Sequence, residues 1–81
     1  MTREEVVPGT EPIERNFVGL LVTFDLHRAS KVSRESGQVS AQRWLGFTKR
    51  GALPEYELTI IGKSGRSVTA RLAEDHVQIS P

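Results

Sequence analysis

The chain has no cysteine and few aromatic side chains: one tryptophan, one tyrosine and three phenylalanines among 81 residues. Without cysteine it forms neither disulfide bonds nor thiolate metal sites, and it is compatible with a reducing compartment. A chain of this length buries only about 60–65% of the surface that it exposes when unfolded. We therefore expect one domain with a small core, for which oligomerisation is one route to added stability.

Long hydrophobic runs are also absent from the sequence. No stretch approaches the roughly 20 apolar residues of a membrane-spanning helix, and the polar start of the chain has no signal-peptide core. We expect no membrane segment and a cytoplasmic location. Residues 1–15 are broken by Pro8, Gly9 and Pro12, which predicts a flexible N-terminal arm followed by a single domain over residues 16–81.

Apolar side chains recur at every second position in several short segments, the period of a β-strand. The clearest segment is 18–26, whose even-numbered residues are predicted to face the core: Val18, Leu20, Val22, Phe24 and Leu26. Further strands are predicted over residues 39–47, 56–61, 68–72 and 77–79. The polar, serine-rich segment 27–38 predicts a long loop, Gly62–Gly65 a hairpin turn, and residues 73–75 one helical turn.

The order of these segments predicts the fold class. No amphipathic helix of useful length is evident, and short strands separated by glycine turns are typical of a small sandwich or barrel. A long loop, a three-stranded meander, a helical turn and a short last strand resemble the SH3-like order. We predict an all-β, five-stranded SH3-like barrel with a disordered N-terminal arm. The alternative is a small OB-type barrel, which usually has a helix where Gly62–Gly65 leaves no room.

A more specific resemblance is carried by four segments. Val32–Gly37, Leu45–Phe47, Pro54–Tyr56 and Ser67–Val68 are similar in layout to the plasmid-type (type II) dihydrofolate reductases, SH3-like barrels that assemble as tetramers around a pore. The resemblance implies an SH3-like barrel as the scaffold and an oligomeric reductase as the function. In that family the pore strand carries a Val-Gln-Ile-Tyr stretch, whereas residues 68–71 here read Val-Thr-Ala-Arg, and Arg34 stands where the family has a lysine. Its catalytic residues are therefore not carried over.

The sequence offers little for catalysis. Asp25 and His27 lie two residues apart on a predicted strand and so should share a face, where an Asp–His pair could orient an imidazole for proton transfer. No nucleophile elbow places a serine beside them. His76 follows two acidic residues, but adjacent side chains point in different directions. We predict no catalytic residues, no metal site and no cofactor.

Basic residues and the tryptophan are concentrated in one part of the chain. Segment 28–50 holds one acid, Glu35, and six cations: Arg28, Lys31, Arg34, Arg43, Lys49 and Arg50. If the apolar residues of 39–47 face the core, Trp44 faces outward and provides an interface anchor. The open alternative is a strand twist, or a bulge at Gly46, that turns Trp44 inward.

These features predict a non-enzymatic binding module with two possible kinds of partner. One is a protein, bound as by an adaptor or inhibitor domain through the 27–38 loop and Trp44. The other is nucleic acid, with the six cations on phosphates and Trp44 stacked on a base. An oligomeric reductase is the third hypothesis. Leu21 and Ile61 are predicted to face outward, so a homodimer is also possible.

Overall fold

The computed structural model describes residues 5–80, which contain six β-strands and no helix. The strands are β1 (Val6–Val7), β2 (Leu21–Arg28), β3 (Lys31–Thr48), β4 (Pro54–Gly62), β5 (Ser67–Arg71) and β6 (Gln78–Ile79). Each neighbouring pair is antiparallel. The all-β prediction is confirmed. Within the described residues no helix exists that could cross a membrane.

The strands form one sheet in the order β5-β4-β3-β2-β6, and β1 pairs with the far end of β3. The 18-residue β3 pairs with β2 along its first half and with β4 along its second half. Straight, such a strand would measure about 60 Å, but the longest dimension of the molecule is 35 Å. The strand is therefore strongly bent. Over residues 5–80 the two outermost strands do not pair, so the sheet is not closed and the barrel type stays a prediction.

The core lies on one face of this bent sheet. Its fully buried apolar members are Phe17, Val22, Phe24, Val39, Tyr56, Leu58, Ile60 and Ala70. The even-numbered face predicted for 18–26 is confirmed at Val22 and Phe24. It is wrong at Val18, which is 47% exposed, while Phe17 is buried in its place. The reason is that a turn at 18–19, with Gly19 at a φ of 91°, precedes the strand, which begins only at Leu21.

The predicted long loop over residues 27–38 is a β-hairpin. β2 and β3 pair continuously from Arg28 opposite Lys31 to Leu21 opposite Gln38, and only Ala29 and Ser30 form the turn. Residues 27–35 are exposed, so neither face of this part of the hairpin requires apolar side chains and the sequence shows no alternation of apolar and polar residues. Strands can pair through their backbones without that alternation, so a polar segment is not necessarily a loop.

The other predicted turns are confirmed. In the β4–β5 hairpin the Gly65 amide donates to the Gly62 carbonyl at 3.0 Å, and the Gly62 amide donates to the Arg66 carbonyl at 3.0 Å. After β5 the Asp75 amide donates to the Arg71 carbonyl at 2.9 Å, which closes the helical turn expected at 73–75. These contacts return the chain to β2, beside which β6 pairs.

A buried carboxylate holds this last turn in place. Glu55 of β4 has no exposed surface. Its two oxygens accept the Ala73 amide at 2.7 Å and the Glu74 amide at 3.1 Å, and Arg71 Nε lies 3.6 Å away. A buried charge is tolerated only with such partners. Glu55 therefore fastens the chain after β5 to the strand β4.

We expect Glu55→Ala to lower the free energy of unfolding by about 3 kcal/mol, because it leaves the Ala73 and Glu74 amides without their acceptor and removes one of the two carboxylates beside Arg71. Urea denaturation monitored by circular dichroism measures the change. The matched control is Glu57→Ala, since Glu57 lies two residues away on the same strand and pairs with the exposed Arg43. That change should cost below about 1 kcal/mol. Equal losses in the two variants would contradict the assignment.

Candidate functional site

The six predicted cations do not form a single patch. Arg28 and Lys31 flank the β2–β3 turn, whereas Lys49 and Arg50 lie in the turn at the opposite end of β3. Between them Arg43 pairs with Glu57, with 3.2 Å between Nη2 and Oε1. The six cations are concentrated in one segment of the sequence, but the length of β3 places them at its two ends and along it.

Arg34 joins three strands. Its Nη1 donates to Asp25 Oδ1 at 2.8 Å and to the carbonyl of His76 at 2.9 Å. Its Nη2 donates to Thr23 Oγ1 at 3.1 Å and to Gln78 Oε1 at 3.0 Å. The guanidinium thus connects β3 to β2, to β6 and to the turn before β6. Because both of its terminal nitrogens make these hydrogen bonds, Arg34 stabilises the fold and is less available to a ligand.

The two histidines and two aspartates beside Arg34 pair differently from the expectation. Asp25 was expected to meet His27, but its Oδ2 lies 2.8 Å from His76 Nδ1, and His27 Nε2 lies 3.6 Å from Asp75 Oδ1. The turn after β5 brings His76, at a φ of 51°, alongside β2. The pKa of Asp25 is lowered from its ordinary value of 3.8. The hydrogen bond from Arg34 has the largest effect, followed by the hydrogen bond with His76.

This lowered pKa gives stability a defined dependence on pH. Because the pKa of Asp25 is lower in the folded protein than in the unfolded chain, its stabilising effect is complete above about pH 5 and disappears as the pH falls below about 4. We expect Asp25→Asn to destabilise the protein at neutral pH, and the gap from the wild type to narrow on acidification. Urea midpoints measured at several pH values test this. A gap that is constant with pH would contradict it.

Trp44 faces the core side of the sheet, so the prediction of an outward tryptophan is wrong. A bulge turns it inward, as the alternative had it, but this bulge lies at Ser40 and not at Gly46. The β3–β4 register shifts between Val39 and Ala41 and again between Trp44 and Gly46. The first shift precedes Trp44 and places it opposite Tyr56, with the two ring centroids 5.1 Å apart in an edge-to-face contact.

Chain segment 5–16, here called the arm, covers this tryptophan. Trp44 Nε1 donates to the carbonyl of Gly9 at 2.8 Å, and Val6–Val7 pair with the end of β3. Gly46, at a φ of 140°, permits this approach, because a Cβ atom there would overlap the carbonyl of Val7. The flexible arm expected over 1–15 thus has its residues 5–15 placed against the sheet, and residues 1–4 lie outside the described part of the chain.

A groove of about 360 Å³ lies between the β2–β3 hairpin and the β4–β5 hairpin. Phe24, Leu26 and Val68 form its floor. Three further lining residues carry positive charge and have no ion pair with any residue from 5 to 80: Arg28, Lys63 and Arg66. The carboxylate lining the groove is that of Glu35. We call this site the cationic groove.

Sequence reasoning identified Arg28 but missed Lys63 and Arg66. They lie on a different hairpin, far along the chain, and the bend of the sheet brings the two hairpins together. One signal was available: segment 62–67 carries two cations and no acid. In the described range 5–80 no group of three or more His, Cys, Asp or Glu side chains is arranged to hold a metal ion.

Comparison of the chain with protein-family models, with curated proteins and with solved structures finds no match.

Proposed function

We propose that this protein is a small, non-enzymatic protein-interaction module that binds an acidic segment of a partner protein in the cationic groove. The observation that supports it is the placement of Arg28, Lys63 and Arg66 around an apolar floor. Charges beside low-dielectric walls attract an opposite charge more strongly than isolated surface charges do. The floor adds a place for apolar side chains of the same segment.

A protein segment fits this groove better than nucleic acid. Sequence-tolerant binding of a single strand relies on exposed rings that stack on bases. The aromatic residue that lines the groove is Phe24, which is 1% exposed. Nucleic acid remains the second candidate because the cations could follow a phosphate backbone. The original anchor of both hypotheses, Trp44, is covered by the arm and takes no part in this proposal.

The proposal also covers the fold type and the cellular location. The strand order β5-β4-β3-β2-β6, with a helical turn before the last strand, supports an SH3-like barrel as the fold type. The proposal includes a cytoplasmic location, with which the lack of cysteine is compatible. An oligomeric reductase is less favoured, because residues 68–71 do not carry the catalytic motif of the family that the sequence resembles.

The proposal is tested with a labelled peptide of roughly ten residues that alternates glutamate and leucine. We expect fluorescence anisotropy to report binding that weakens with salt. Replacing Arg28, Lys63 and Arg66 together by glutamine should weaken it roughly tenfold or more, because three charge contacts are lost.

The matched control replaces three cations at and towards the other end of β3, Arg43, Lys49 and Arg50, by glutamine. This variant removes the same charge and should bind the peptide within about twofold of the wild type. Equal weakening in both variants would mean that net charge and not the groove governs binding, and the proposal would fail. A mixed-sequence single-stranded oligonucleotide is measured in parallel. Tighter binding of that probe at the groove would replace the protein partner by nucleic acid.

A further inference from the structure

The arm is held by the face of β3 and β4 that carries Gln42, Trp44, Phe47 and Tyr56, here called the arm-binding face. Five contacts connect residues 5–17 to this face. Val6–Val7 pair with Phe47 and Thr48, Trp44 Nε1 donates to the Gly9 carbonyl, and the Tyr56 hydroxyl donates to the Glu11 carboxylate. Gln42 Nε2 donates to the Arg15 carbonyl, and Gln42 Oε1 accepts a hydrogen bond from the Phe17 amide. All but one of these use backbone atoms of the 5–17 segment. The face therefore recognises an extended backbone with one carboxylate.

The arm itself contributes little apolar anchoring. Val7 is 48% exposed and Ile13 is 73% exposed, and the paired strand is only two residues long. Each hydrogen bond to such a segment adds little net stability, since water competes for the same groups. A segment held in this way opens at a lower free energy than the core strands.

The arm-binding face is poorly suited to exposure to solvent without the arm. When residues 5–11 leave, the indole of Trp44 loses the Gly9 carbonyl and the hydroxyl of Tyr56 loses the Glu11 carboxylate, and the rings of Trp44, Phe47 and Tyr56 lose their cover. The burial of Tyr56 and its bond to Glu11 raise the pKa of its phenol to about 12, so the hydroxyl keeps its proton as a donor. Any replacement must supply carbonyls and a carboxylate in the same order.

The arm of a second copy supplies them with no change of sequence. Residues 12–14 are exposed and link residues 5–11 of the arm to Arg15, which Gln42 holds beside the buried Phe17. A rotation within this link redirects residues 5–11, while Arg15 and Phe17 stay on Gln42 of their own sheet and the contacts of Val6–Val7, Gly9 and Glu11 are kept on the second copy. Exchange of an identical segment between copies is a low-cost route to a dimer for this reason.

We propose that two copies of this chain pair by exchanging their arms, so that residues 5–11 of each lie on the arm-binding face of the other. The pairing does not depend on what the cationic groove binds. It would, however, place two cationic grooves in one particle, and a partner with two acidic segments would then be held by both at once.

The experiment exploits the absence of native cysteine. Glu5 and Lys49 lie across from each other where the β1–β3 pairing continues, with 3.8 Å between Oε2 and Nζ, and both side chains are largely exposed. Full-length Glu5→Cys and Lys49→Cys chains are mixed at about 0.1 mM, equilibrated and oxidised, since cross-strand neighbours are close enough for a disulfide. We expect a covalent heterodimer on a non-reducing gel.

The matched control mixes Glu5→Cys with Lys31→Cys, which makes the same substitution at the opposite end of β3. The Lys49 mixture should give roughly tenfold or more heterodimer than the control, a yield that increases with concentration. Equal yields would overturn the proposal.

A double variant, Glu5→Cys with Lys49→Cys, shows whether the two positions can be linked at all. If it closes within one chain on oxidation at high dilution while the mixture gives only the control yield, the arm stays on its own sheet and the proposal fails. Light scattering of the wild type completes the test. A dimer that forms without the Lys49 crosslink would assign pairing to another surface, such as that of Leu21 and Ile61, and would also overturn arm exchange.

Discussion

The two register shifts in β3 determine most of what lies on each face of this molecule. One extra residue between Val39 and Ala41, and another between Trp44 and Gly46, reverse the side on which the following side chains emerge. Without the shifts, strict alternation from Val39 would expose Trp44 and Gln42. With the first shift, both side chains reach the core side, where they meet the arm. The second shift, after Trp44, brings Phe47 to the same side, where its ring contacts Trp44. The same irregularities increase the local bend, which lets one long strand serve both β2 and β4.

Two hydrogen-bonded charged side chains, the exposed Arg34 and the buried Glu55, fix the ends of the sheet where apolar packing is thin. Arg34 connects β2, β3 and β6 through four hydrogen bonds, and Glu55 holds the turn that leads from β5 towards β6. A small domain has too few apolar side chains to define the position of every terminal strand. Directional charge-assisted bonds provide that definition at the cost of desolvation.

The predictable part of the fold is the part where alternation and glycine turns coincide. Val22 and Phe24 were assigned to the core, and the hairpin at Gly62–Gly65 was located, because each follows from local pattern. The 27–38 hairpin was taken for a loop, since its exposed strands carry no apolar period. The inward Trp44 depends on the bulge at Ser40, which no glycine marks in the sequence, whereas the bulge suggested at Gly46 follows Trp44. The cationic groove joins cations from two hairpins, and no local pattern reports a contact made by the bend of a sheet.

The pairing pattern also orders the assembly of the chain. β2–β3, β3–β4 and β4–β5 are neighbours in sequence, so these three hairpins close short loops and can form early. The outer contacts are different in kind, because β1 reaches across to Thr48 and β6 returns from the end of the chain to Val22. Both outer strands, β1 and β6, are thus added to a meander that already exists. During synthesis the arm would stay unattached until β3 had emerged from the ribosome, and β2 would gain its second neighbour only after β6 had emerged.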